Sequence, residues 1–484
     1  MPLRIFNTQS RKKEAFATLE EGKVGMYVCG ITAYDLCHVG HARSAVVFDV
    51  ITRYLRWLGY EVTCVKNFTD VDDKIIEKAR REQQGIEAVA ERYIREHDRD
   101  MEALGVDRPT FTPRATEHIG EMIALVSTLI DKGLAYEADG DVYYAVAQFP
   151  HYGKLSGRGI EEMQAGARID VNEKKRNPLD FALWKSSREG EPRWESPWGP
   201  GRPGWHLECS AMSKRYLGST FDIHGGGEDL VFPHHENEIA QSEGATGLPL
   251  ARYWVHNGFV RVNSEKMSKS LGNFFTIRDI LKHCHPEVLR LFLLQSHYRS
   301  PVDFSDAALA EARQGMARFY ATLKTLRDLA AAGGAAAWSG KDQVLDDFLQ
   351  ALRERFREAM DDDFNTARAI GHLFEAVRSI NAVLAESKRT VSASILSRAE
   401  ETIRELGAAL GLFREEADFY LRLDREREAA KRGLSVGEIE RLIGERRAAR
   451  ERKDWRGADE IRKGLADQGV ILQDSPSATT WTVA

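Results

Sequence analysis

The stretch CGITAYDLCHVGHARS, residues 29–44, decides how the rest of the sequence is interpreted. Cys29, Cys37, His38 and His41 fall within thirteen positions, and thiols and imidazoles at such spacing are typical zinc ligands. A glycine-containing loop that opens a helix is also a typical phosphate site, because the backbone N–H groups at a helix N-terminus are free to bind an anion. The stretch by itself leaves both interpretations open.

The flanking segments predict a strand, a loop, a helix and a second strand. KVGMYVC, residues 23–29, has the apolar character of a buried strand. Apolar residues then recur at helical spacing from Val46 to Leu58, and EVTCVKN, residues 61–67, predicts the next strand. This order forms a βαβ unit, whose ligands bind beyond the carboxyl ends of the strands, where the loop meets the helix. The CHVGH loop lies at that position.

A second set of segments continues the sheet further along the chain. Residues 220–241, TFDIHGGGEDLVFPHHENEIAQ, predict a strand, a glycine turn and a helix start, and residues 253–262 predict another strand. Between the halves lies a segment that starts with a helix, contains the strand-like DVYYAV and ends in SPWGPGRPGW. We predict an α/β fold with a Rossmann-type split parallel sheet, formed by residues 1–112 and 205–262, and a connective insertion at 113–204.

The remainder of the chain is predicted to be largely helical. Apolar residues keep a 3.6-residue period over 345–360, and DDDFNT supplies a cap for the following helix. We predict an α-helical bundle at 342–423 and a small C-terminal α/β domain at 424–484. Residues 441–463 hold nine Lys or Arg against five Asp or Glu, which fits either a solvated helix pair or a nucleic-acid-binding face.

Length and composition are those of an ordinary globular protein. At 484 residues the chain is long enough for three or four domains of roughly 100–200 residues each, and its net charge of −6 gives no general affinity for nucleic acid. Neither a signal peptide nor an apolar run of the roughly 20 residues that span a bilayer is seen, so we expect a cytoplasmic protein without membrane contact. Five widely spaced cysteines favour metal binding or burial over a disulfide framework.

A second motif is EKMSKSLGN, residues 265–273, in a loop after a strand. At typical residue usage KMSKS arises by chance on the order of once per million positions, so it is a specific signal. The pair His38 and His41 alone is weak, because histidines near a helix start often serve as caps or core residues. The two motifs strengthen each other because they occur in this order in the two halves of one sheet.

Together these motifs resemble the signatures of the class I aminoacyl-tRNA synthetases. HVGH, residues 38–41, is similar to the HIGH signature with Val39 in place of isoleucine, and residues 266–270 are similar to the KMSKS signature. Further blocks narrow the resemblance to the cysteinyl-tRNA synthetase family over nearly the whole chain: MYVCGITAYDLCHVGHARS, NFTDVDDKI, PGWHLECSAMS, GGGEDLVFPHHENEIAQSE, KMSKSLGN and DDDFNTARAIGHLFEAVRSIN. The resemblance implies ATP-dependent activation of L-cysteine to cysteinyl-adenylate and transfer of cysteine to tRNA(Cys).

In that reaction a carboxylate attacks the α-phosphate of ATP and pyrophosphate leaves. Cationic and hydrogen-bonding groups positioned in advance lower this barrier, since negative charge spreads over the transition state. The resemblance implies that His38, His41, Lys266 and Lys269 are the catalytic residues, with Mg2+ accompanying ATP. Gly40 is expected to let the nucleotide approach the backbone closely.

The residues alone do not identify a metal site. His234 and Glu238, four apart on a predicted helix, are more typical of a solvated face, and Cys209 of a buried thiol. In the family, however, the zinc ligands fall on the positions of Cys29, Cys209, His234 and Glu238. The resemblance therefore implies one Zn2+ per chain, with the substrate thiolate as an added ligand. On this interpretation the opening stretch serves both the metal and the nucleotide.

The family also implies residues around the metal. Four positions are expected to line the amino-acid pocket: Gly30, Thr69, Trp205 and Asp229. Four histidines are expected to support the ligands: His206, His224, His235 and His256. The remaining cysteines are expected to be buried: Cys37, Cys64 in a strand and Cys284 in a helix.

Contacts with tRNA are expected from the second half of the chain. The resemblance assigns residues 263–320 to the KMSKS loop and a stem-contact region, 342–423 to a tRNA-binding bundle and 424–484 to an anticodon-binding domain. Trp455 and Trp481 either stack on bases or fill the core of the small domain. We expect a monomer that binds ATP, L-cysteine and tRNA(Cys).

Two other functions compete with this one. A cysteine ligase acting on a sugar amine would keep the ATP and zinc residues but lack the tRNA-binding tail, and the tail is present. A zinc- and RNA-binding protein without catalysis is expected to have lost part of HVGH or KMSKS, and both motifs are intact.

Overall fold

The structure is a computed structural model of the chain. It describes residues 2–159, 174–262, 265–266, 275–333, 338–386, 391–474 and 479–483, with the backbone alone at 265–266. Within these ranges no helix combines the length and the apolar character needed to cross a membrane.

Strands and helices are numbered separately in chain order. The strands are β1 (Arg4–Asn7), β2 (Lys12–Ala15), β3 (Lys23–Thr32), β4 (Glu61–Thr69), β5 (Ala135–Ala138), β6 (Asp141–Tyr144), β7 (Phe181–Ser186), β8 (Gly201–Pro203), β9 (Phe221–Gly227), β10 (Ala251–Asn257), β11 (Val260–Val262), β12 (Glu265–Lys266), β13 (Val302–Phe304), β14 (Val470–Asp474) and β15 (Thr479–Val483). The α-helices are α1 (Val39–Trp57), α2 (Asp73–Glu82), α3 (Ile86–Ala103), α4 (Ile119–Asp131), α5 (Trp205–Leu217), α6 (Glu236–Thr246), α7 (Ile277–Leu281), α8 (Pro286–Leu294), α9 (Asp306–Ala331), α10 (Gly340–Asp361), α11 (Thr366–Glu386), α12 (Ala393–Ala409), α13 (Ala417–Lys431), α14 (Val436–Glu451) and α15 (Trp455–Asp467).

A four-stranded parallel sheet of order β10-β9-β3-β4 forms the centre of the N-terminal half. Strands β3 and β4 come from the first predicted half and β9 and β10 from the second, so the split parallel sheet is confirmed. Residues along β3 alternate between two hydrophobic clusters because successive side chains point to opposite faces. Met26 and Val28 join the cluster that contains α1, whereas Tyr27 and Cys29 join the cluster that contains α5.

The segment between the two halves forms its own small unit. Helix α4 precedes an antiparallel four-stranded sheet of order β5-β6-β7-β8. The strand-like DVYYAV is β6, and the proline- and glycine-rich stretch contributes β8. Tyr144 of this sheet donates a hydrogen bond to the carbonyl of Ala240 in α6 at 2.8 Å, which ties the insertion to the second half of the main sheet.

Helices α9 to α13 pack against one another beyond the sheet. The predicted cap in DDDFNT is Asn365, whose side-chain oxygen accepts from the Arg368 N–H at 3.0 Å. The aspartates of the same motif connect the helices to the N-terminal half. Asp363 is buried and accepts hydrogen bonds from the Phe6 N–H and the Tyr298 hydroxyl, both at 2.8 Å.

The small C-terminal domain consists of α14, α15 and the antiparallel hairpin β14–β15. Trp481 is 2% exposed in its core and donates to Glu440 at 2.7 Å, so of the two uses proposed for this residue the core one is correct. From β15 the Trp481 side chain packs against the helices of this domain. Trp455, at the start of α15, is 60% exposed.

The basic run of this domain is largely internally paired. Arg446 is buried and forms two hydrogen bonds to Asp474, at 2.8 and 2.7 Å. Further arginines pair with carboxylates of their own helices: Arg441 with Glu438, Arg447 with Glu451 and Arg456 with Glu460. Part of the net positive charge is therefore used within the domain.

Candidate active site and metal centre

A cavity of about 340 Å3 opens at the N-terminus of α1, beyond the carboxyl ends of β3, β9 and β10. This is the position that a βαβ unit gives its ligand. Six of the residues predicted from the sequence line it: Cys29, Gly30, His38, Gly40, His41 and Asp229. The candidate nucleotide loop and one candidate metal ligand therefore face the same space.

His38 and His41 also cap the helix that they open. His38 is the N-cap of α1, and its Nδ1 accepts from the Gly40 N–H at 3.1 Å. The Nδ1 of His41 accepts in turn from the His38 N–H at 3.2 Å, and the two rings stack with their centroids 3.8 Å apart. The cap and the active-site interpretations are therefore compatible, since these cap contacts use only the Nδ1 atoms of the two imidazoles.

The KMSKS motif is described only in part. Strand β12 brings the backbone of Lys266 beside Arg261 of β11. The Lys266 side chain and all of Lys269 lie outside the described residues. The residues that follow the motif pair with the HVGH loop through backbone hydrogen bonds. The Phe275 carbonyl accepts from the Val39 N–H at 3.2 Å, and the Ile277 N–H donates to the Cys37 carbonyl at 2.9 Å.

The four predicted metal ligands converge from four elements. Cys29 comes from β3, Cys209 from α5, His234 from the turn before α6 and Glu238 from α6, and their donor atoms all lie within 4.8 Å of one another. The two Sγ atoms are 3.6 Å apart, and a Glu238 Oε1 atom lies 3.2 Å from the Cys29 Sγ and 3.0 Å from the His234 Nε2. All four side chains are buried.

His234 lies in the turn that leads into α6. The sequence suggested that His234 and Glu238 share a face of one α-helix, but α6 begins only at Glu236. His234 lies in an irregular wider turn, Val231–His235, in which Phe232 has extended backbone angles. Phe232 is the one residue of this turn with non-helical angles, so the turn continues into α6, and His234 and Glu238 keep the four-residue helical spacing that the sequence predicted.

A second group of donors overlaps the first. Cys29, His224, His235 and Glu238 also lie within 4.8 Å of one another. His224 Nε2 contacts the other oxygen of Glu238 at 2.7 Å. His235 Nε2 lies 3.3 Å from the Cys29 Sγ, and its Nδ1 lies 2.8 Å from His256 Nε2. Cys29 and Glu238 are thus held from both sides by imidazoles.

The electrostatics of the cluster favour a bound cation. Burial and the neighbouring Cys209 raise the pKa of the Cys29 thiol. Burial would also raise the pKa of Glu238, but the imidazoles of His224 and His234 hold it well below its usual range. Two thiols and a carboxylate confined in one buried space repel each other when all are ionised, and a divalent cation removes that penalty.

The predicted amino-acid pocket residues take different positions around this centre. The Thr69 hydroxyl is buried and donates to the buried carboxylate of Glu208. Trp205 is 41% exposed, with its ring 4.4 Å from that of His234. Gly30 must be glycine for packing, because a Cβ there would meet the Asn67 carbonyl oxygen at 1.6 Å. Among these residues and Asp229, only Gly30 and Asp229 line the cavity.

Sequence reasoning missed Asn67 and Glu208. Asn67 accepts from the Gly30 N–H at 2.8 Å, and its side-chain oxygen lies 3.7 Å from the Cys209 Sγ. Glu208 precedes Cys209 and is 1% exposed. A carboxylate and an amide next to cysteine and glycine give no local signal, since their burial depends on contacts far apart in the chain. Cys37, Cys64 and Cys284 are buried as expected, but Cys284 lies in a turn between α7 and α8 rather than in a helix.

A split parallel sheet with a histidine-bearing helix start at its carboxyl edge is the architecture of a class I aminoacyl-tRNA synthetase. Mycobacterium tuberculosis methionyl-tRNA synthetase in complex with methionyl-adenylate matches with a TM-score of 0.62 and 17% identity, covering 86% of this chain and 95% of that one. Agrobacterium radiobacter LeuRS, in a ternary complex with tRNA and LeuAMS, matches with a TM-score of 0.59 and 13% identity, covering 86% of each chain. These likenesses concern the fold.

Sequence comparison then gives the particular family. The family described as "tRNA synthetases class I (C) catalytic domain" matches residues 15–314, "DALR domain" matches 355–414 and "Cysteinyl-tRNA ligase anticodon binding domain" matches 432–481. The cysteine–tRNA ligases of Geobacter sulfurreducens and Geobacter metallireducens are each 59% identical over 484 residues, covering 100% of both chains. The chain belongs to the cysteine–tRNA ligase family of class I aminoacyl-tRNA synthetases and is a ligase.

Proposed function

We propose that this protein activates L-cysteine with ATP and transfers it to tRNA(Cys), and that the buried cluster recognises the cysteine thiol through a zinc ion. The activity is that named for its relatives at 59% identity. One observation supports the recognition of the thiol most strongly. Cys29 belongs to the four-donor cluster and also lines the cavity that His38 and His41 face.

The donor set fits zinc. Two thiolates, one imidazole and one carboxylate are ligands that zinc accepts in a four-coordinate site. The Nδ1 of His234 lies 2.7 Å from the Nδ1 of His206, so the outer nitrogen of the candidate ligand has a partner, as is usual for histidines that bind metals. A bound zinc ion would supply a Lewis acid that holds a substrate thiol as its thiolate.

The remaining chemistry belongs to the residues around the cavity. The N-terminus of α1 carries a partial positive charge, and His38 and His41 add hydrogen-bonding groups there, so the triphosphate is bound at this end. Lys266 and Lys269 stabilise the charge that develops as pyrophosphate leaves. Mg2+ accompanies ATP. Asp229 lines the cavity, and we expect its carboxylate to accept a hydrogen bond from the substrate ammonium group.

Discrimination against serine follows from this arrangement. A pocket that measured size alone would separate cysteine from serine by about 1–3 kcal/mol. A serine hydroxyl ionises far less readily than a thiol and matches a thiolate-rich metal poorly. We expect cysteine to be preferred by at least about a thousandfold, or about 4 kcal/mol.

Cysteine-dependent exchange of pyrophosphate into ATP tests this function. The purified full-length chain is assayed with each of the twenty amino acids in turn, and we expect exchange with cysteine at least about a thousandfold above serine. Equal exchange with serine would remove the zinc proposal, whereas exchange with a different amino acid would remove the function.

The C-terminal match favours tRNA over a sugar amine as the acceptor. Residues 432–481 match an anticodon-binding domain, which a ligase for sugar amines does not need. We assign the bundle at 342–423 and the domain of α14 and α15 to tRNA binding, with Trp455 stacking on a base. Attachment of cysteine to total tRNA, measured beside attachment to a sugar amine, distinguishes the two acceptors.

The cytoplasmic location and the monomeric state remain predictions.

A further inference from the structure

We propose that Lys66 is a further phosphate-binding residue of this active site, and that its ammonium group contacts the triphosphate of ATP. The inference rests on the proposed function, since it places ATP in the cavity at the start of α1. Lys66 lies in β4 and lines that cavity together with His38, Gly40 and His41. It belongs to neither the HVGH nor the KMSKS motif.

The ammonium group of Lys66 has no protein counter-ion within the described part of the chain. No hydrogen bond or ion pair joins it to another described side chain. Asp49 is the carboxylate whose charge acts on Lys66. It already accepts hydrogen bonds from Arg53, Arg290 and the N–H of Asp107. Burial accordingly lowers the pKa of Lys66. A half-buried cation without a counter-ion is costly, and a ligand that brings negative charge removes the cost.

His97 does not supply the missing charge. Its ring comes from α3 and lines the same cavity, and burial lowers its pKa, so the ring is neutral near pH 7. Nδ1 lies 3.1 Å from Asp98 Oδ1, while the buried Nε2 has no partner among the described residues. A neutral ring that donates through Nδ1 offers only a lone pair at Nε2, which can accept from a ligand hydroxyl but cannot neutralise Lys66.

Two features narrow the ligand to a phosphate group. The cavity lies at the N-terminus of α1, where backbone N–H groups favour anions, and Lys66 lines the same cavity. A second cavity of about 230 Å3 shares Lys66 and His97 and carries the carboxylates Asp98, Glu102 and Asp107. Arg108 and Arg414 also line the second cavity and offset those carboxylates. The anion is expected on the α1 side, where the helix N-terminus adds its partial positive charge. ATP and the 3′-terminal phosphodiester of tRNA are the two sources of such a group, and we expect ATP.

Calorimetric binding to the full-length protein without cysteine tests the proposal. Lys66→Met should weaken ATP by about tenfold or more, because a charge-assisted hydrogen bond is lost, and leave adenosine, which has no phosphate, unchanged. Lys66→Arg should retain most of the ATP affinity. Arg108→Met is the matched control, since Arg108 is not among the residues that line the cavity at the start of α1 and its loss changes the net charge equally.

The outcomes separate the possibilities. Equal loss of ATP and adenosine affinity, or no loss of either, overturns the assignment. Normal pyrophosphate exchange with impaired tRNA charging overturns it in favour of the tRNA phosphodiester. If wild-type protein exchanges pyrophosphate without cysteine dependence, the proposed function fails while the binding test still stands. Lys66→Met removes a cation that has no counter-ion among the described residues, so it should keep or raise the melting temperature of ligand-free protein. If Lys66→Met does not fold, Lys66→Gln repeats the test.

Discussion

His38 and Thr276 form an isolated antiparallel bridge between the loop that opens α1 and the chain that follows the KMSKS motif. Residues 238 positions apart in sequence are thereby fixed side by side. The bridge anchors one end of the KMSKS segment at the helix start where the phosphates are proposed to bind. Two signatures from opposite halves of the sheet are joined by backbone hydrogen bonds, which are independent of the side chains that carry the chemistry.

Two substitutions of His38 distinguish its role as the N-cap of α1 from its proposed role in catalysis. Asparagine is a good N-cap, so His38→Asn should unfold near the wild-type temperature, whereas His38→Ala should lose about 1 kcal/mol of stability. Both variants should exchange pyrophosphate at least about tenfold more slowly, because the imidazole is gone. Thermal unfolding and exchange assays measure the two effects. Full activity in His38→Asn would reduce this residue to a cap.

Lys269 is predicted to act mainly in the transition state. Lys269→Ala should lower the turnover of adenylate formation by about 100-fold or more while cysteine binding changes little. Single-turnover formation of the adenylate gives the rate, and Lys282→Ala, an exposed lysine after the motif, is the control. Near-normal turnover in Lys269→Ala would remove the assignment of KMSKS.

Metal and substrate affinity should be lost together in the buried cluster. Cys209→Ser should lower zinc content and cysteine affinity, whereas Cys284→Ser, which changes an equally buried thiol far from the cluster, should keep both. In cobalt-substituted wild-type protein, cysteine should add a sulfur-to-metal absorption band. An unchanged cobalt spectrum at saturating cysteine would leave the metal with a structural role only.

Removal of the small domain should affect tRNA and spare adenylate formation. Deletion of residues 433–484 keeps α13 whole, which matters because Arg313 of α9 binds Asp424 of that helix at 2.9 Å. Cysteine-dependent exchange should remain largely intact, since its cavity lies in the split sheet, and tRNA charging should fall severely. Equal charging by the full-length and the shortened chain would contradict the anticodon assignment.

Within the intact protein, Trp455→Ala should weaken tRNA binding by about 1–3 kcal/mol if the ring stacks on a base.

Asp342 should make the helical region sensitive to acid. Its carboxylate accepts from the N–H groups of Ser339 and Ser392, both at 2.8 Å, and so joins the starts of α10 and α12. Burial would raise its pKa, but the hydrogen bonds from Ser339 and Ser392 lower it from 3.8 to about 2. Since the folded pKa is depressed, the carboxylate contributes about 2 kcal/mol above pH 4, and this is lost as the pH falls toward 2.

Asp342→Asn tests this dependence. The difference in melting temperature between wild type and Asp342→Asn should be largest near neutral pH and shrink as the pH is lowered from 4 toward 2. Asp347→Asn, at an exposed position of α10, should show no such trend. A pH-independent difference for Asp342→Asn would attribute its effect to packing rather than to charge.

The sequence by itself determined the α/β class, the split of the parallel sheet and the two signature motifs. Strand and helix periods are local, and HVGH and KMSKS are short runs whose chance frequency is low, so both kinds of signal survive without coordinates. The family resemblance added the four metal-ligand candidates. Spacing alone did not separate His234 and Glu238 from a solvated helix face.

Only the tertiary structure decided which side chains meet. Cys29 and Cys209 meet His234 and Glu238 in one buried cluster, Trp481 is buried whereas Trp455 is exposed, and Lys66 lines the cavity of the HVGH loop. The physical reason is common to these cases. Burial and charge compensation depend on atoms from elements that are distant in the chain, and a local pattern of residue types does not specify them.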